Sequence, residues 1–485
     1  MADYNSGQAT LFIQDDLTEP FAVLTCSGVG DISVPSGDLT PQYCPDPEHA
    51  GEFYISSVTR GPAGFASMSL TKPLAAVYNA LIENKCGYNA LITVNCEGVR
   101  DLPTRYIMAM LMLNANNTDQ GISSPVAMTP DESGRINTTA TVNFTKLYML
   151  YNLEWAQQTL SNTADANGLA FLPEKCLTDC SNARGLCEIG FMGLDGTLYN
   201  SEVEKTENYG STWAQTAADP FTSGGDAGKP VLFEMTDAER VVVPRVSQTG
   251  GEYAEISFTE DRGVTWSDVY VGTVDSQFLT KLFKFRGKLW AVGSHGYIYQ
   301  SADYGSSWTA QEAGVETTEI LRDGVMYTED VGYVVGDDNH FLYTMNGGSD
   351  WASRTGPAVG ADLLSVAVNY QGYVFVGASD GTMYYSTDRG VNWNTRQAFG
   401  VGTVPYIAFD NSARAVGLAI FNTAAPVGHA YRSIDAGASW QEVGPTSMPT
   451  NAGLNDAWIC DQNTFIVAGE AYNGMTFVAK SMPVS

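Results

Sequence analysis

An eight-residue motif, S/T-x-D/N-x-G-x-x-W, occurs six times in the C-terminal two thirds of this 485-residue chain. The six copies occupy residues 206–213, 259–266, 301–308, 344–351, 386–393 and 433–440. Their tryptophans lie 53, 42, 43, 42 and 47 residues apart. A period of about 40 to 50 residues is typical of propellers and other repeat arrays. The spacing therefore predicts an array of similar structural units.

The residue types in the motif are those of a hairpin turn. An Asp or Asn oxygen can accept hydrogen bonds from nearby backbone N–H groups, Gly adopts a φ that strains other residues, and Trp buries a large ring. The motif resembles the Asp-box of the BNR repeat family. We predict an architectural role, not catalysis, for its residues. They are Asn208, Gly210, Trp213, Asp261, Gly263, Trp266, Asp303, Gly305, Trp308, Asn346, Gly348, Trp351, Asp388, Gly390, Trp393, Asp435, Gly437 and Trp440.

Short apolar runs bounded by glycine precede several copies of the motif, for example at residues 287–293, 331–336 and 372–377. Such runs predict buried strands, so each repeat should be a small antiparallel sheet. A seventh pair of runs, 464–469 and 475–480, has no motif after it. The sequence therefore predicts seven blades, the last completed by a strand from before the first blade. We place this donor strand within residues 169–180.

The composition is that of a folded, β-rich chain, with 44% hydrophobic residues, 16% charged residues and 49 glycines. The net charge of −29 repels phosphate backbones, so we do not expect specific binding of nucleic acid through a basic patch. Such a surface suits a wall past which DNA slides without adhering.

No apolar run approaches the ~20 residues of a membrane span, and the N-terminus has no pattern of a signal peptide. We therefore expect neither membrane insertion nor export by the general route, and the eight cysteines are expected to be free thiols. Cys176, Cys180 and Cys187 could supply three metal ligands, but no fourth Cys or His lies nearby. The four histidines are scattered. We predict no metal and no cofactor.

The N-terminal part predicts mainly strands, including two long ones at residues 106–113 and 136–150. One helix is expected, with Thr71 as its cap, Pro73 in its first turn and its end near Lys85. The fold class is therefore mainly all-β. The predicted domains are a β-sandwich with one helix at residues 1–160, a linker that could carry the donor strand at 161–186, and the propeller at 187–485.

This element order resembles the tail-tube (major tail) proteins of long-tailed bacteriophages. The resemblance covers about the first 155 residues and depends on element order, not on a motif. It implies that the N-terminal domain polymerises with itself into rings or a tube, with DNA as a non-adhering passenger and with localisation in the virion. The propeller would be displayed outside, where a cell-surface glycan is its candidate ligand. The alternative is a cytoplasmic protein with an unclassified β domain.

If the propeller were an enzyme, its sequence should contain the catalytic residues of a known class. Sialidases with this propeller carry an Arg-Ile-Pro motif, whereas this chain has Val243-Pro244-Arg245-Val246 in another order. Other glycosidases use two opposed carboxylates. Three acidic clusters could supply them. They are Asp237 with Glu239, Glu329 with Asp330, and Asp337 with Asp338. We predict that the chain is not an enzyme. The alternatives are a carbohydrate-binding propeller protein and a glycoside hydrolase.

Overall fold

The structure is a computed structural model that separates into two compact units. One unit comprises mainly residues 1–152, and the other comprises mainly residues 153–175 and 184–483. The N-terminal unit is described for its strands alone. Within the second unit the described residues are 153–158, 160, 164–172, 187–195, 202–216, 229–234, 239–247, 253–271, 278–285, 287–313, 319–369, 372–409, 416–425, 427–434, 436–443, 452–460, 464–473 and 475–483.

The described strands of the N-terminal unit are antiparallel. They are β1 (Ala9–Gln14), β2 (Ala22–Val23), β3 (Val29–Ser33), β4 (Leu39–Pro45), β5 (Phe53–Arg60), β6 (Ala66–Thr71), β7 (Tyr88–Val94), β8 (Arg105–Leu111), β9 (Ala127–Pro130) and β10 (Ile136–Leu150). Eight form one sheet in the order β2-β1-β7-β8-β10-β6-β3, with β9 on β10, while β4 and β5 pair separately. The predicted long strands correspond to β8 and β10. The expected helix lies outside the described residues, and the sandwich stays a prediction.

The second unit is a seven-bladed propeller, as the repeat predicted. Six blades are each four consecutive strands. Blade 1 is β12 (Asp165–Phe171), β13 (Gly190–Asp195), β14 (Glu202–Thr206) and β15 (Ala214–Gln215), and blade 2 is β16 (Val231–Glu234), β17 (Glu239–Ser247), β18 (Tyr253–Thr259) and β19 (Ser267–Tyr270). Blade 3 is β20 (Leu279–Phe285), β21 (Lys288–Gly293), β22 (Ile298–Ser301) and β23 (Thr309–Ala313), and blade 4 is β24 (Leu321–Met326), β25 (Gly332–Gly336), β26 (His340–Thr344) and β27 (Asp350–Thr355). Blade 5 is β28 (Leu363–Val368), β29 (Val374–Ala378), β30 (Thr382–Ser386) and β31 (Asn394–Ala398), and blade 6 is β32 (Gly402–Phe409), β33 (Gly417–Thr423), β34 (Gly428–Ser433) and β35 (Gln441–Glu442).

Blade 7 is the composite blade. Its strands β36 (Leu454–Ile459), β37 (Phe465–Tyr472) and β38 (Met475–Pro483) are completed by β11 (Leu153–Gln158), which precedes blade 1 in the chain. β11 pairs antiparallel with β38, from Leu153 opposite Pro483 to Gln158 opposite Val478. The sequence therefore predicted the closure correctly but named the wrong segment.

The segment predicted to close the ring contributes instead to the innermost strand of blade 1. Leu169, Ala170 and Phe171 of β12 are all buried, because an innermost strand packs against neighbours on both faces. An outer strand has one face in solvent, as exposed Gln157 in β11 shows. The propeller consequently begins at Leu153, so the predicted boundaries at residues 160 and 187 cut through it.

Cys187 and Cys460 form a disulfide, and they are 273 positions apart in sequence. The expectation of free thiols is wrong for this pair, and Cys187 is removed from the proposed set of three metal ligands. Cys176 and Cys180 lie outside the described residues. Among the residues that are described, no group of three or more His, Cys, Asp or Glu side chains could hold a metal ion. No described helix is long and apolar enough to cross a membrane.

Apolar clusters lie between neighbouring blades and hold the ring together. The cluster between blades 3 and 4, for example, packs Trp290 and Phe283 against Leu321, Val334 and Trp351. Trp290 and Phe283 stack with ring centroids 5.9 Å apart. Blades 1 to 5 each contribute residues to two such clusters, one with each neighbour, so the stability of each of these blades depends on both neighbours.

Candidate functional site: the axial charge cluster

The innermost strands of the seven blades contact one another in a closed circle around the propeller axis. Four of them, β20, β24, β28 and β36, share a register shift after an initial leucine. The residues after the shift are Lys281, Asp323, Ser365 and Asp456. A polar side chain at this position is a property of the repeat that periodicity of apolar residues alone does not indicate.

Two ion pairs form at this level. Lys229, just before β16 in blade 2, reaches past blade 1 to contact the carboxylate of Asp456 in blade 7, and Lys281 Nζ lies 3.0 Å from Asp323 Oδ1. All four side chains are largely buried, with exposed fractions of 3% for Asp456 and 19% for Lys281 at the extremes. We call these four residues, together with Tyr406, the axial cluster. Its formal charge is zero.

Both carboxylates of the axial cluster also bind backbone N–H groups of the following blade. Leu169 N–H in blade 1 donates to Asp456 Oδ2 at 2.7 Å, and Val366 N–H in blade 5 donates to Asp323 Oδ2 at 2.9 Å. A buried carboxylate needs such partners because it has lost its hydration. The two aspartates therefore tie neighbouring blades together.

Gly168 gives Lys229 its path to Asp456. A Cβ at Gly168 would lie 2.3 Å from the Lys229 Cα and 2.8 Å from its Cγ, which is too close for any side chain. Blade 1 thus has no side chain at this position, and the lysine of blade 2 reaches past it to blade 7. A larger residue at 168 would separate the ion pair.

The environment shifts the pKa of three groups in the axial cluster. Burial lowers the pKa of Lys229 to about 8, against the opposing charge of Asp456 and with a contribution from the like charge of Lys281. Burial also acts to lower the pKa of Lys281, but Asp323 and Asp456 outweigh it, so that pKa is raised. Tyr406, whose ring lies 4.8 Å from Lys229 Nζ, has a pKa raised well above its ordinary value by burial and by both carboxylates.

The arrangement favours cohesion of the ring over acid–base chemistry. Each aspartate is neutralised by a lysine and bound by a backbone N–H group, so neither resembles the acid and base of a glycosidase. Sequence analysis did not identify this cluster, because its members come from five different blades.

The acidic clusters named from the sequence are not brought together. Glu329 and Asp330 precede β25, whereas Asp337 and Asp338 follow it, so the two clusters lie at opposite ends of a five-residue strand, roughly 16 Å apart. Asp337 accepts two hydrogen bonds from Arg322, at 2.6 and 2.8 Å. Asp237 and the side chain of Glu239 lie outside the described residues.

The Asp-box residues form turns at one end of the blades. In blade 3, Ser301 Oγ accepts the Gly305 N–H at 2.8 Å, and Asp303 Oδ1 accepts the Ser307 N–H at 2.8 Å. The same bonds recur, with the hydroxyl accepting from Gly210, Gly263, Gly348, Gly390 and Gly437 and the side-chain oxygen accepting at Asn208, Asp261, Asn346 and Asp388. Asp435 lies outside the described residues. Gly305 has a φ of +90°, which a side chain would strain.

Hydrogen bonds lower the pKa of the box carboxylates. Asp261 has a pKa of about 2, chiefly because its oxygens accept hydrogen bonds from the Thr265 hydroxyl and N–H. The pKa of Asp388 is also about 2, since the bonds from Asn392 and Ser386 outweigh the opposing effect of burial. Acids this strong are ionised at neutral pH and hold no proton to donate, which fits structural turns.

The box tryptophans differ in burial. Trp351 and Trp440 are buried, whereas Trp213, Trp266, Trp308 and Trp393 are half-buried. Trp308 Nε1 donates to the Gly305 carbonyl at 3.1 Å, and Trp213 Nε1 donates to the Gly210 carbonyl at 3.2 Å. These two bonds hold the indoles of Trp308 and Trp213 against the turns of their own boxes.

A second set of contacts at the boxes was not expected from the sequence. In several boxes, a side chain of the preceding blade donates a hydrogen bond to the carbonyl of the residue before the box glycine. Arg240 Nη1 binds the Tyr304 carbonyl at 3.1 Å, and Gln300 Nε2 binds the Gly347 carbonyl at 2.7 Å. Lys480 binds the Tyr209 carbonyl in the same way at 2.8 Å, from blade 7 to blade 1. The boxes thus join blades as well as strands.

Comparison with known proteins supports the fold alone. No protein-family model and no curated protein matches the sequence. Among solved structures, virginiamycin B lyase from Staphylococcus aureus is similar with a TM-score of 0.50 and 12% identity, covering 68% of this chain and 100% of that one. YCF48 from Cyanidioschyzon merolae matches with a TM-score of 0.49 and 13% identity, over 67% of this chain and 98% of that one. A GH74 xyloglucanase from Xanthomonas campestris matches with a TM-score of 0.49 and 15% identity, over 66% and 52%.

Proposed function

We propose that the protein is a structural component of a virion. In this proposal the N-terminal unit assembles with copies of itself into rings or a tube, and the propeller is displayed outside as a module for the host surface. DNA passes without adhering, because a chain of net charge −29 repels phosphate. The form of this assembly, rings or a tube, is proposed because the order of the N-terminal strands resembles that of tail-tube proteins.

The contrast between the two units carries the proposal. The propeller closes on itself through β11 and the disulfide, so its blades form a complete ring. The described sheet of the N-terminal unit is instead an open order that ends at β2 and β3. End strands of an open sheet leave N–H and C=O groups that a second copy can pair with, whereas a closed array leaves few. These open edges support the proposal that self-association belongs to the first unit.

The disulfide gives independent support for a place outside the cytoplasm. Disulfides persist on virion surfaces and in other oxidising surroundings, and thiols are kept reduced in the cytoplasm. A cross-link between Cys187 and Cys460 favours a protein that works after release from the cell over the cytoplasmic alternative.

The test compares the full chain with two fragments divided at the start of β11, residues 1–152 and 153–485. We expect the full chain and the first fragment to form rings or tubes by light scattering and negative-stain microscopy, and the second to stay monomeric. A fragment of residues 161–485 is the control, because it lacks β11 and should aggregate through the uncovered edge of β38. Monomeric behaviour of both the full chain and residues 1–152 over a wide range of concentration and salt would refute the assembly.

A carbohydrate-binding propeller is the second candidate, and one exposed aromatic favours it. Tyr297 is 37% exposed, stacks on Tyr299 with centroids 6.0 Å apart, and adjoins exposed His295. The Gly296 N–H donates to the Glu319 carbonyl at 3.0 Å, which fixes this turn. Exposed tyrosine faces stack on sugar rings, and the acidic chain favours neutral glycans.

Saturation-transfer NMR with a panel of neutral hexoses and N-acetylhexosamines tests this candidate. Transfer should disappear in Tyr297→Ala and persist in the control Tyr209→Ala, since Tyr209 is the other exposed aromatic of the described residues and lies beside Lys480. Absence of transfer in the wild-type protein, or equal loss in both variants, would refute a glycan site at Tyr297. The prediction that the chain is not an enzyme stays a prediction.

A further inference from the structure

Two closing devices lie at the same junction of the propeller, that between blades 7 and 1, which we call the seam. β11 covers the outer edge of blade 7, and the disulfide joins Cys187, ahead of β13 in blade 1, to Cys460, after β36 in blade 7. The other junctions are crossed by the chain itself. At the seam the chain crosses only from β11 to β12, and the rest of blade 7 is joined to blade 1 by residues far apart in sequence. Displacement of β11 from β38 therefore lets the ring open here without breaking the chain.

The seam is also the point where the rest of the protein is attached. β11 starts three residues after β10 ends, at Leu150, so the strand that completes blade 7 is continuous with the last strand of the N-terminal unit. Displacement of that chain acts directly on the pairing of β11 with β38. Strand pairing at an outer edge, where hydrogen bonds can exchange with water, is the kind of contact that opens first.

The disulfide is part of the buried apolar cluster at the seam, which also contains Val478 of β38. Cys187 and Cys460 are 3% and 7% exposed, and they pack with Leu160, Phe171 and Ile466. Thiol–disulfide exchange requires a thiolate to reach a sulfur. A reductant therefore reaches this bond only when the packing that covers it is displaced, and the intact bond in turn limits how far blades 7 and 1 can separate.

We propose that the Cys187–Cys460 disulfide is a redox-controlled cross-link that keeps the seam closed when β11 is displaced through the chain from the N-terminal unit. In the oxidised protein, loss of β11 leaves blades 7 and 1 joined. In the reduced protein, the same loss lets the ring open between them. Two molecules of a thiol such as glutathione reduce the bond. They give up two electrons and two protons and form their own disulfide, and Cys187 and Cys460 take up these electrons and protons as two thiols.

The inference goes beyond the proposed virion function, because it concerns the ring itself and holds for any task of the propeller. A cross-link that closes a long loop stabilises the closed form, and its removal should increase the open population of the seam roughly 30- to 1,000-fold. Blade 4, on the other side of the ring, should not respond.

Hydrogen exchange on the wild-type full chain tests the cross-link directly. We expect reduction by tris(2-carboxyethyl)phosphine to accelerate exchange in Leu153–Gln158 and Met475–Pro483 by the factor above, and to leave Leu321–Met326 within about twofold. Blocking of thiols before reduction establishes the starting state by mass spectrometry. Alkylation of Cys187 and Cys460 without reductant, or unchanged exchange at the seam after reduction, would overturn the proposal.

The rate of reduction provides the second test. Trp155 in β11 is buried and its Nε1 donates to the Val443 carbonyl, so Trp155→Ala should weaken β11 and speed reduction of the disulfide at least about tenfold. Trp351→Ala is the matched control, since it removes an equally large buried side chain from blade 4. Its reduction rate should stay within about threefold of wild type. Equal acceleration in both variants would show that reduction follows global unfolding, not opening of the seam.

Discussion

The buried lysine of the axial cluster makes the stability of the propeller depend on alkaline pH in a direction that can be worked out. The pKa of Lys229 is lowered from 10.5 to about 8 in the folded protein, with burial as the main cause. Between these values the unfolded chain binds more protons than the folded one. The contribution of Lys229 to stability therefore rises as pH increases from about 8 towards 10.5.

The magnitude follows from the two pKa values. Their difference corresponds to about 3 kcal/mol over the whole range, of which about 2 kcal/mol should be gained between pH 7 and pH 9.5. The perturbation is the double variant Lys229→Met with Asp456→Asn, which removes the titrating amine without leaving a lone carboxylate. The amide oxygen that Asp456→Asn introduces can still accept the Leu169 N–H bond. The variant should lose this pH-dependent gain.

Urea unfolding followed by tryptophan fluorescence is the assay, because all nine tryptophans lie between residues 155 and 458 and report only the propeller. Lys284, whose pKa burial also lowers to about 8, contributes equally to wild type and variant and cancels in the difference. The control is Lys288→Met, a lysine 41% exposed, which should leave the pH dependence unchanged. Equal slopes for wild type and the double variant between pH 7 and 9.5 would refute the placement of Lys229 in a buried ion pair.

Three further outcomes are expected. Trp351→Ala should reduce the free energy of unfolding of the propeller by about 3 to 5 kcal/mol, and Trp308→Ala by less because that ring is half-buried; equal losses in urea unfolding would contradict the difference in burial. Asp303→Asn should lower the melting temperature little, because Asn346 makes the same bond in blade 4. Asp303→Ala should lower it clearly, because it removes the acceptor of the Ser307 N–H. Equal shifts in the two variants would count against the turn geometry. The chain should not hydrolyse a fluorogenic sialoside, and turnover that one propeller Arg substitution abolishes would overturn this prediction.

The sequence predicted the blades because the box is a local structure. The bonds of Asp303 and Ser301 span four residues, so the residues that make the turn are adjacent in the chain and recur with the blade. The strands follow for the same reason, since β25 and β29 are short apolar runs between glycines. The number of blades could then be counted from the repeat.

The closing strand could not be placed from the sequence in the same way. Residues 153–158 and 165–171 both have strand character, and only the packing of the complete ring puts the first on the edge of blade 7 and the second at the axis. A count of strands predicts that one is missing, but it does not say which segment before blade 1 has one face free for solvent.

The disulfide and the axial cluster were decided by the tertiary structure alone. Cys187 and Cys460 are 273 residues apart, and Lys229 and Asp456 are 227 residues apart, so no local pattern relates either pair. Ring closure brings the first and last blades together, and Gly168 leaves the space through which Lys229 reaches its partner. The sequence by itself determined the repeated turns, because the hydrogen bonds that form them join residues four positions apart in the chain. The seam and the axis depend on contacts that exist only once seven blades have closed into a circle.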